Sequence, residues 1–147
     1  MLLGLASVSL AEDGILIRKA DMPTPREYLS TCVVDGMIYA IGGMTQYHDR
    51  VFSKVEAYNP ATDTWAKKAD MPTARGGLST SVVNGIIYAI GGWDVYSSNM
   101  LTTVEAYDPA TDTWTKKADM PYPGSVSSSV VNGIIYAIGG SHTHAYD

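Results

Sequence analysis

The sequence predicts an all-β fold, and three observations lead to this prediction. A unit of 49 residues recurs, since Asp21-Met22-Pro23 returns as Asp70-Met71-Pro72 and again as Asp119-Met120-Pro121. Each unit holds an Asp-Gly or Asn-Gly pair between apolar runs, a pattern typical of tight β-hairpins. The runs are apolar without alternation, which indicates strands covered on both faces. Small antiparallel sheets stacked radially, as in a β-propeller, account for all three observations.

Each unit is predicted to contain four strands. In the first complete unit they cover residues 29–34, 37–41, 54–58 and 64–68. The first two strands are joined by Asp35-Gly36, and the later units use Asn84-Gly85 and Asn132-Gly133. These residues suit a type I′ turn because both of its central positions need positive φ. Residues 59–63 (NPATD) separate the third strand from the fourth, since asparagine and proline favour turns.

The most regular feature of the repeat is a double glycine after an apolar strand, then a tyrosine, then a tryptophan seven residues later. These positions are Gly42, Gly43, Tyr58 and Trp65, then Gly91, Gly92, Tyr107 and Trp114, and finally Gly139 and Gly140. Together with Met-Pro-Thr-x-Arg at 22–26 and 71–75, they resemble the kelch repeat over residues 15–147. The resemblance implies a kelch-type β-propeller with three four-stranded blades per chain. Leu16 replaces the expected tryptophan, and the third unit lacks the arginine.

The recurrence of these residues in successive units favours a structural role for them. Tryptophan is expected to pack between blades, and glycine to permit close approach of neighbouring backbones. Cys32 occupies the position of Ser81 and Ser129 in the other units, so we interpret it as a small buried residue.

Counting strands predicts how the protein assembles. The repeat region, residues 15–147, opens on a fourth strand at 15–19 and closes on a third strand, which gives three blades. Kelch-like rings usually hold six or seven blades, and three cannot close. We therefore predict a homodimer that forms one six-bladed ring, in which residues 15–19 of one subunit complete the blade begun by residues 125–147 of the other. The alternative is half of a longer gene product, which needs the same partner surface.

The N-terminal segment, residues 1–14, is apolar at first and has two interpretations. It is either an extra strand that covers an edge or the remnant of a secretory signal, since 9–11 (SLA) resembles a cleavage site. A signal remnant would place the protein in the cell envelope or outside the cell, and the compartment is otherwise undetermined. No stretch is long enough to span a bilayer. The net charge of −5 and pI near 5.0 argue against nucleic-acid and anionic-membrane partners.

The candidate ligand site lies on one face of the ring. The loops from fourth to first strands and from second to third strands share this face, while the Asn-Gly hairpins and NPATD turns lie on the other. The predicted ligand-binding residues are Arg26, Tyr47, His48, Arg75, Trp93, Asp94, Tyr96 and Tyr122. Arg26 and Arg75 fall near the channel mouth, where their guanidinium groups would suit an acidic peptide or acidic sugar. Alternatively, each arginine satisfies backbone carbonyls or pairs with Glu27 or Asp94.

The two histidines His142 and His144 point to the same side of an extended segment and form a weak candidate metal pair. Zinc prefers three or four protein ligands, and His48 and Asp49, which lie in an equivalent loop, could contribute further ligands. We therefore expect surface histidines, no bound metal and no cofactor.

Three classes of function fit the sequence. The first is a non-catalytic binding platform for a protein, peptide or acidic ligand, the use that the resemblance to substrate-adaptor kelch propellers implies. The second is a carbohydrate-active propeller similar to sialic acid mutarotase or galactose oxidase, for which Arg26, Glu27 and Arg75 are the only hints of an acid/base site. The third is a purely structural repeat module, including one made for propeller assembly. We favour the first and expect no catalysis.

Overall fold

The computed structural model describes residues 17–139 and 142–146. The backbone in these ranges forms thirteen strands and no helix. In chain order they are β1 (Ser30–Val34), β2 (Met37–Ile41), β3 (Val55–Asn59), β4 (Thr64–Lys67), β5 (Ser79–Val83), β6 (Ile86–Ile90), β7 (Trp93–Asp94), β8 (Asn99–Met100), β9 (Val104–Asp108), β10 (Thr113–Lys116), β11 (Ser127–Val131), β12 (Ile134–Gly139) and β13 (His142–Tyr146). The prediction of an all-β fold is confirmed.

Three antiparallel sheets follow one another along the chain. Blade 1 has the order β1-β2-β3-β4, blade 2 the order β5-β6-β9-β10, and blade 3 the order β11-β12-β13. A short ribbon, β7-β8, was not predicted and projects between the second and third strands of blade 2. No helix in the described ranges is long and apolar enough to cross a bilayer.

The tight hairpins form where Asp-Gly and Asn-Gly pairs predict them. Asp35 and Gly36 have φ of 49° and 74°, and Asn84 and Gly85 have 51° and 78°. Both values are positive in each turn, as a type I′ turn requires. The turn after β3 begins with Asn59, whose side-chain oxygen accepts a hydrogen bond from the Ala61 N–H at 2.9 Å. This is the Asx geometry expected for the NPATD segment.

The apolar core lies between the blades. We call the side of a blade that is turned toward the following blade its forward face, and the opposite side its backward face. Tyr39 and Ile41 on the forward face of blade 1 pack with Ile87 on the backward face of blade 2. Ile90 on the forward face of blade 2 packs with Ile135 of blade 3 in the same way. Blade 2 is therefore covered on both faces, which explains its unbroken apolar strands.

The glycine pairs lie where neighbouring backbones come into contact. The Gly43 N–H donates to the Arg75 carbonyl at 2.9 Å, and the Gly92 N–H donates to the Gly124 carbonyl at 3.0 Å. A Cβ atom on Gly91 would lie 2.3 Å from the Gly124 oxygen, so a side chain has no room there. Gly140 lies outside the described residues.

In blades 1 and 2, a tryptophan of the fourth strand joins the blade to the segment before it. The Trp114 indole N–H donates to the Ala69 carbonyl at 3.0 Å, and Asp112 accepts a hydrogen bond from the Ala69 N–H at 2.8 Å. Likewise, the Trp65 indole N–H donates to the Ala20 carbonyl at 2.9 Å, and Asp63 accepts a hydrogen bond from the Ala20 N–H at 2.9 Å.

Only residues 17–19 of the predicted strand at 15–19 lie within the described range. Residues 17–19 have no strand pairing within the chain, and residues 15 and 16 lie outside the described range, as does the segment 1–14. Because Ala20 is held on blade 1 as Ala69 is held on blade 2, residues 17–19 approach blade 1 from the position of a preceding fourth strand. Its pairing with another subunit stays a prediction.

The outer faces of the array carry uncovered apolar side chains. Ile41 and Ile90 are buried by the next blade, whereas the equivalent Ile138 of blade 3 is 54% exposed. Val33, on the backward face of blade 1, is 59% exposed, while the equivalent Val82 of blade 2 packs against the core. The forward face of blade 3 and the backward face of blade 1 therefore expose apolar surfaces of the kind that pack together between neighbouring blades.

Candidate functional site

The loops divide between the two faces of the array as predicted. Loops before each first strand meet loops after each second strand, because Glu27 pairs with Met44 and Gly76 pairs with Trp93 as antiparallel bridges. We call this side the loop face. The turn at Asn84-Gly85 lies beside Asp35 and Asp108 on the opposite side.

Arg26 is part of a buried network within blade 1. Its side chain has no exposed area and forms an ion pair with Glu56, a residue of β3. Its guanidinium also donates to the carbonyls of Gly42 at 2.7 Å and Ala40 at 3.0 Å. Thr24 completes the network by donating its hydroxyl to the other Glu56 oxygen at 2.7 Å.

Arg75 repeats this arrangement in blade 2. It donates to Glu105 at 2.6 Å and to the carbonyl of Ala89 at 3.1 Å, and Thr73 donates to Glu105 at 2.8 Å. Burial lowers the pKa of Arg75, and the facing carboxylate of Glu105 opposes this change. Arginine remains protonated, so a neutralised ion pair is enclosed in the blade.

These networks correct the prediction that Arg26 and Arg75 bind a ligand at the channel mouth. Both guanidinium groups are enclosed and donate hydrogen bonds to carbonyls and to a glutamate, and only the buried Arg75 Nε lacks a partner among the described residues. Neither group is therefore accessible to an acidic peptide or sugar. The alternative of backbone contacts was right, although the acidic partners are Glu56 and Glu105, not Glu27 and Asp94. The signal was present in the sequence, because each Thr-x-Arg segment is followed by a Val-Glu-Ala-Tyr segment at constant spacing.

The predicted aromatic residues remain on the loop face. Tyr47 is 85% exposed and Tyr96 is 70% exposed. Trp93 is half-buried in β7, and Asp94 caps the following turn by accepting from the Tyr96 N–H at 3.0 Å. His48 is exposed and contacts the Tyr28 ring edge to face, with centroids 4.9 Å apart.

Blade 3 departs from the other two blades. His144 lies in β13, where it pairs with Ala137 as Glu56 pairs with Ala40 in blade 1. The rings of Tyr122 and His144 are stacked, with centroids 5.8 Å apart and an interplanar angle of 26°. They line a cavity of about 310 Å³ together with Met100, Pro123, Gly124, Ser125, Val126 and Gly139.

Metal binding gains no support at the predicted histidine pair. The side chain of His142 lies outside the described part of the structure. Among the described side chains, no three histidine, cysteine, aspartate or glutamate residues are grouped closely enough to hold an ion.

Cys32 is a half-buried free thiol in β1, packed against the core between blades 1 and 2. Burial raises its pKa to about 11, despite a hydrogen bond with Thr80 that acts in the opposite direction. The thiolate is therefore scarce near neutral pH, which suits a packing role and not a reactive one.

A family model described as the KLHDC2/KLHL20/DRC7 Kelch-repeats domain matches residues 15–147. The chain belongs to the kelch-repeat family. The resemblance that the repeated glycine, tyrosine and tryptophan positions predicted is thus confirmed, and the three sheets are kelch blades.

The chain is also similar to two further proteins. Kelch-like ECH-associated protein 1B of Danio rerio is 35% identical over 54 residues, which are 35% of this chain and 9% of that protein. The solved structure titled "Structure of YjhT" aligns with a TM-score of 0.71 and 22% identity, over 83% of this chain and 36% of the other. This chain thus spans about one third of that structure and less of the Danio rerio protein. The structural match supports the propeller fold.

Proposed function

We propose that this protein is a non-catalytic binding module whose loop face holds a protein or peptide partner. The observation that carries the proposal is the contrast between the two kinds of loop-face residue. The arginines are locked into the blades, whereas Tyr47 and Tyr96 stand exposed on the same side of the molecule. Exposed tyrosines supply large, rigid contact surfaces of the kind that dominate protein interfaces.

The charge on the loop face argues for a basic or neutral partner. Glu27 and Asp49 are exposed there and Asp94 is half-buried, while Arg50 is the exposed cation of the loop at 44–52. With Arg26 and Arg75 neutralised, the acidic ligand predicted from the sequence loses its basis. The carbohydrate-active alternative loses the same two residues as candidates for an acid/base site.

We further propose that two copies of this chain close one six-bladed ring. Inside the chain, each junction joins the forward face of one blade to the backward face of the next. The forward face of blade 3 exposes Ile138, and the backward face of blade 1 exposes Val33. Since the units repeat, these two surfaces are complementary to each other, and a second copy offers both in a closed symmetric arrangement.

A phage-displayed random peptide library tests the binding function. We expect selected peptides to bind the protein and to lose at least about tenfold in affinity in a Tyr47→Ala, Tyr96→Ala variant, as expected when hot-spot aromatics are truncated. The matched control is an Ala61→Ser, Ala110→Ser variant, altered at exposed turns on the opposite face, which should bind normally. Peptides that bind both variants equally well, or a glycan array that yields ligands when the peptide library yields none, would contradict the proposal.

A further inference from the structure

Blade 3 has lost all three members of the buried network found in blades 1 and 2. Gly124 takes the position of Arg75, because its carbonyl accepts from Gly92 as the Arg75 carbonyl accepts from Gly43. Two residues earlier, Tyr122 takes the position of Thr73. His144 takes the position of Glu105, as the strand register requires.

These replacements leave a cavity where the other blades hold a guanidinium group. Gly124 lines the cavity of about 310 Å³, and a Cβ atom placed on it would come no closer than 4.0 Å to its nearest neighbour, Val126. The cavity is therefore unfilled next to Gly124, the position from which an arginine side chain extends in blades 1 and 2. The stacked rings of Tyr122 and His144 form one wall.

The cavity offers a planar cation both room and an aromatic wall. Gly139, at the sequence position of Gly42 in blade 1, also lines the cavity and has no side chain that would fill it. The aromatic face of Tyr122 adds a surface on which a planar cation can stack. His144 supplies no carboxylate. Blade 3 would therefore hold a guanidinium more weakly than Glu105 holds Arg75, which suits a reversible ligand.

We propose that this cavity binds the arginine side chain of a partner polypeptide. The inference rests on the proposed function for the position of the partner, since the cavity opens beside Met100 on the loop face. Met100 and Tyr122 are exposed around its mouth, at 51% and 54%, so a peptide lying across them can insert a side chain. The net charge of −5 favours a basic partner.

The direct test is a titration with N-acetyl-arginine amide, followed by NMR at the His144 ring and the Gly139 amide. We expect saturable shifts with a dissociation constant of about 1–10 mM, typical of one small group in a preformed pocket. N-acetyl-citrulline amide has the same shape without the charge, and we expect it to bind at least about tenfold more weakly. Equal binding of the two compounds, or no saturable shift, would overturn the inference.

Two variants test the location. Gly124→Arg fills the cavity from within and should abolish arginine binding while the circular dichroism spectrum stays unchanged. His144→Glu restores the carboxylate of the other blades and should strengthen arginine binding about tenfold without affecting citrulline. The second variant keeps the test decisive if the first fails to fold. Arginine binding that survives in Gly124→Arg, or that does not respond to His144→Glu, would place the ligand elsewhere.

The source of the guanidinium is tested with selected peptides. Peptides that depend on Tyr47 and Tyr96 should contain arginine, bind more tightly than the amide, and lose affinity in Gly124→Arg. If they lack arginine and bind Gly124→Arg normally, this inference fails and the proposed function stands. If the amide binds as expected but no peptide depends on the loop face, the polypeptide source and the proposed function fail. Free arginine that binds more tightly than every peptide would also exclude a polypeptide source.

Discussion

Blades 2 and 3 are built from the same repeat but carry different side chains at equivalent positions. In blade 2, Arg75, Glu105 and Thr73 fill the interior with an enclosed ion pair. In blade 3 the same positions hold Gly124, His144 and Tyr122, and a cavity opens. Blade 2 is also covered on both faces, whereas the forward face of blade 3 exposes Ile138.

The regular blades are held by enclosed ion pairs, whereas the divergent blade has a cavity that we propose is a contact site. A buried ion pair ties the loop before the first strand to the third strand, and it leaves no room for a ligand. Removing it from one blade opens space at that blade and leaves the other two as a fixed frame. Near-identical repeats therefore make the single departure the most informative part of the chain.

The largest expected effect comes from breaking the ion pair in blade 2. Glu105→Gln leaves the enclosed Arg75 charge uncompensated, and removal of one partner of a buried pair costs about 3–5 kcal/mol. The matched change in blade 3, His144→Gln, should cost less than about 1.5 kcal/mol, the scale of one lost ring contact. Urea unfolding at fixed protein concentration measures both. Equal costs would show that the two blades do not differ as described.

A second prediction concerns the junction between blades 2 and 3. Gly91→Ala should destabilise the protein by about 2–4 kcal/mol, since it combines an unfavourable positive φ with a clash against the Gly124 carbonyl. Gly85→Ala also has positive φ but meets nothing within 4 Å, so it should cost only about 1–2 kcal/mol. The same urea measurement separates them. A smaller loss in Gly91→Ala than in Gly85→Ala would mean that the blades do not meet closely there.

Thiol labelling compares equivalent positions in blades 1 and 3. With its pKa raised to about 11, Cys32 should react with iodoacetamide at pH 8 about a hundredfold more slowly than an ordinary thiol. Ser129 is exposed on the forward face of blade 3, so Ser129→Cys in a Cys32→Ser background should react quickly in dilute protein. Ring closure should protect this thiol as the protein concentration rises. Rapid labelling at every concentration would argue against a covered face.

The smallest effect is a pH dependence at the segments that join the blades. Hydrogen bonds from the Tyr107 hydroxyl and the Ala69 N–H lower the pKa of Asp112. The stabilisation is therefore complete above the unfolded value of about 3.9 and is lost as the pH falls through the lower folded value. Asp112→Asn should flatten the acid side of the stability profile, measured as melting temperature against pH. An unchanged profile would show that this carboxylate contributes nothing.

Much of the fold could be predicted because the same local sequence pattern recurs in successive units. The Asp-Gly and Asn-Gly turns, the glycine pairs and the apolar strands each depend on local chemistry that the sequence shows directly. The role of Arg26 could not be predicted from its own segment, because its partner Glu56 lies thirty residues away on another strand. An arginine near a channel mouth resembles a ligand site until the carboxylate that neutralises it is placed.

The cavity in blade 3 was hidden for a related reason. Gly124 looked like the loss of a consensus residue, and His144 looked like half of a metal pair. Only the strand register shows that His144 replaces a glutamate and that Tyr122 stacks on it. A cavity arises from what is missing at several positions together, and a single sequence shows each of those positions separately.

We propose that the exposed faces of blades 1 and 3 are covered by those of a second copy. Light scattering of the purified chain at micromolar concentration measures whether two copies associate. We expect a mass of twice the 15.8 kDa of one chain. A mass of 15.8 kDa, or a series of species that grows without limit as concentration rises, would contradict the closed ring.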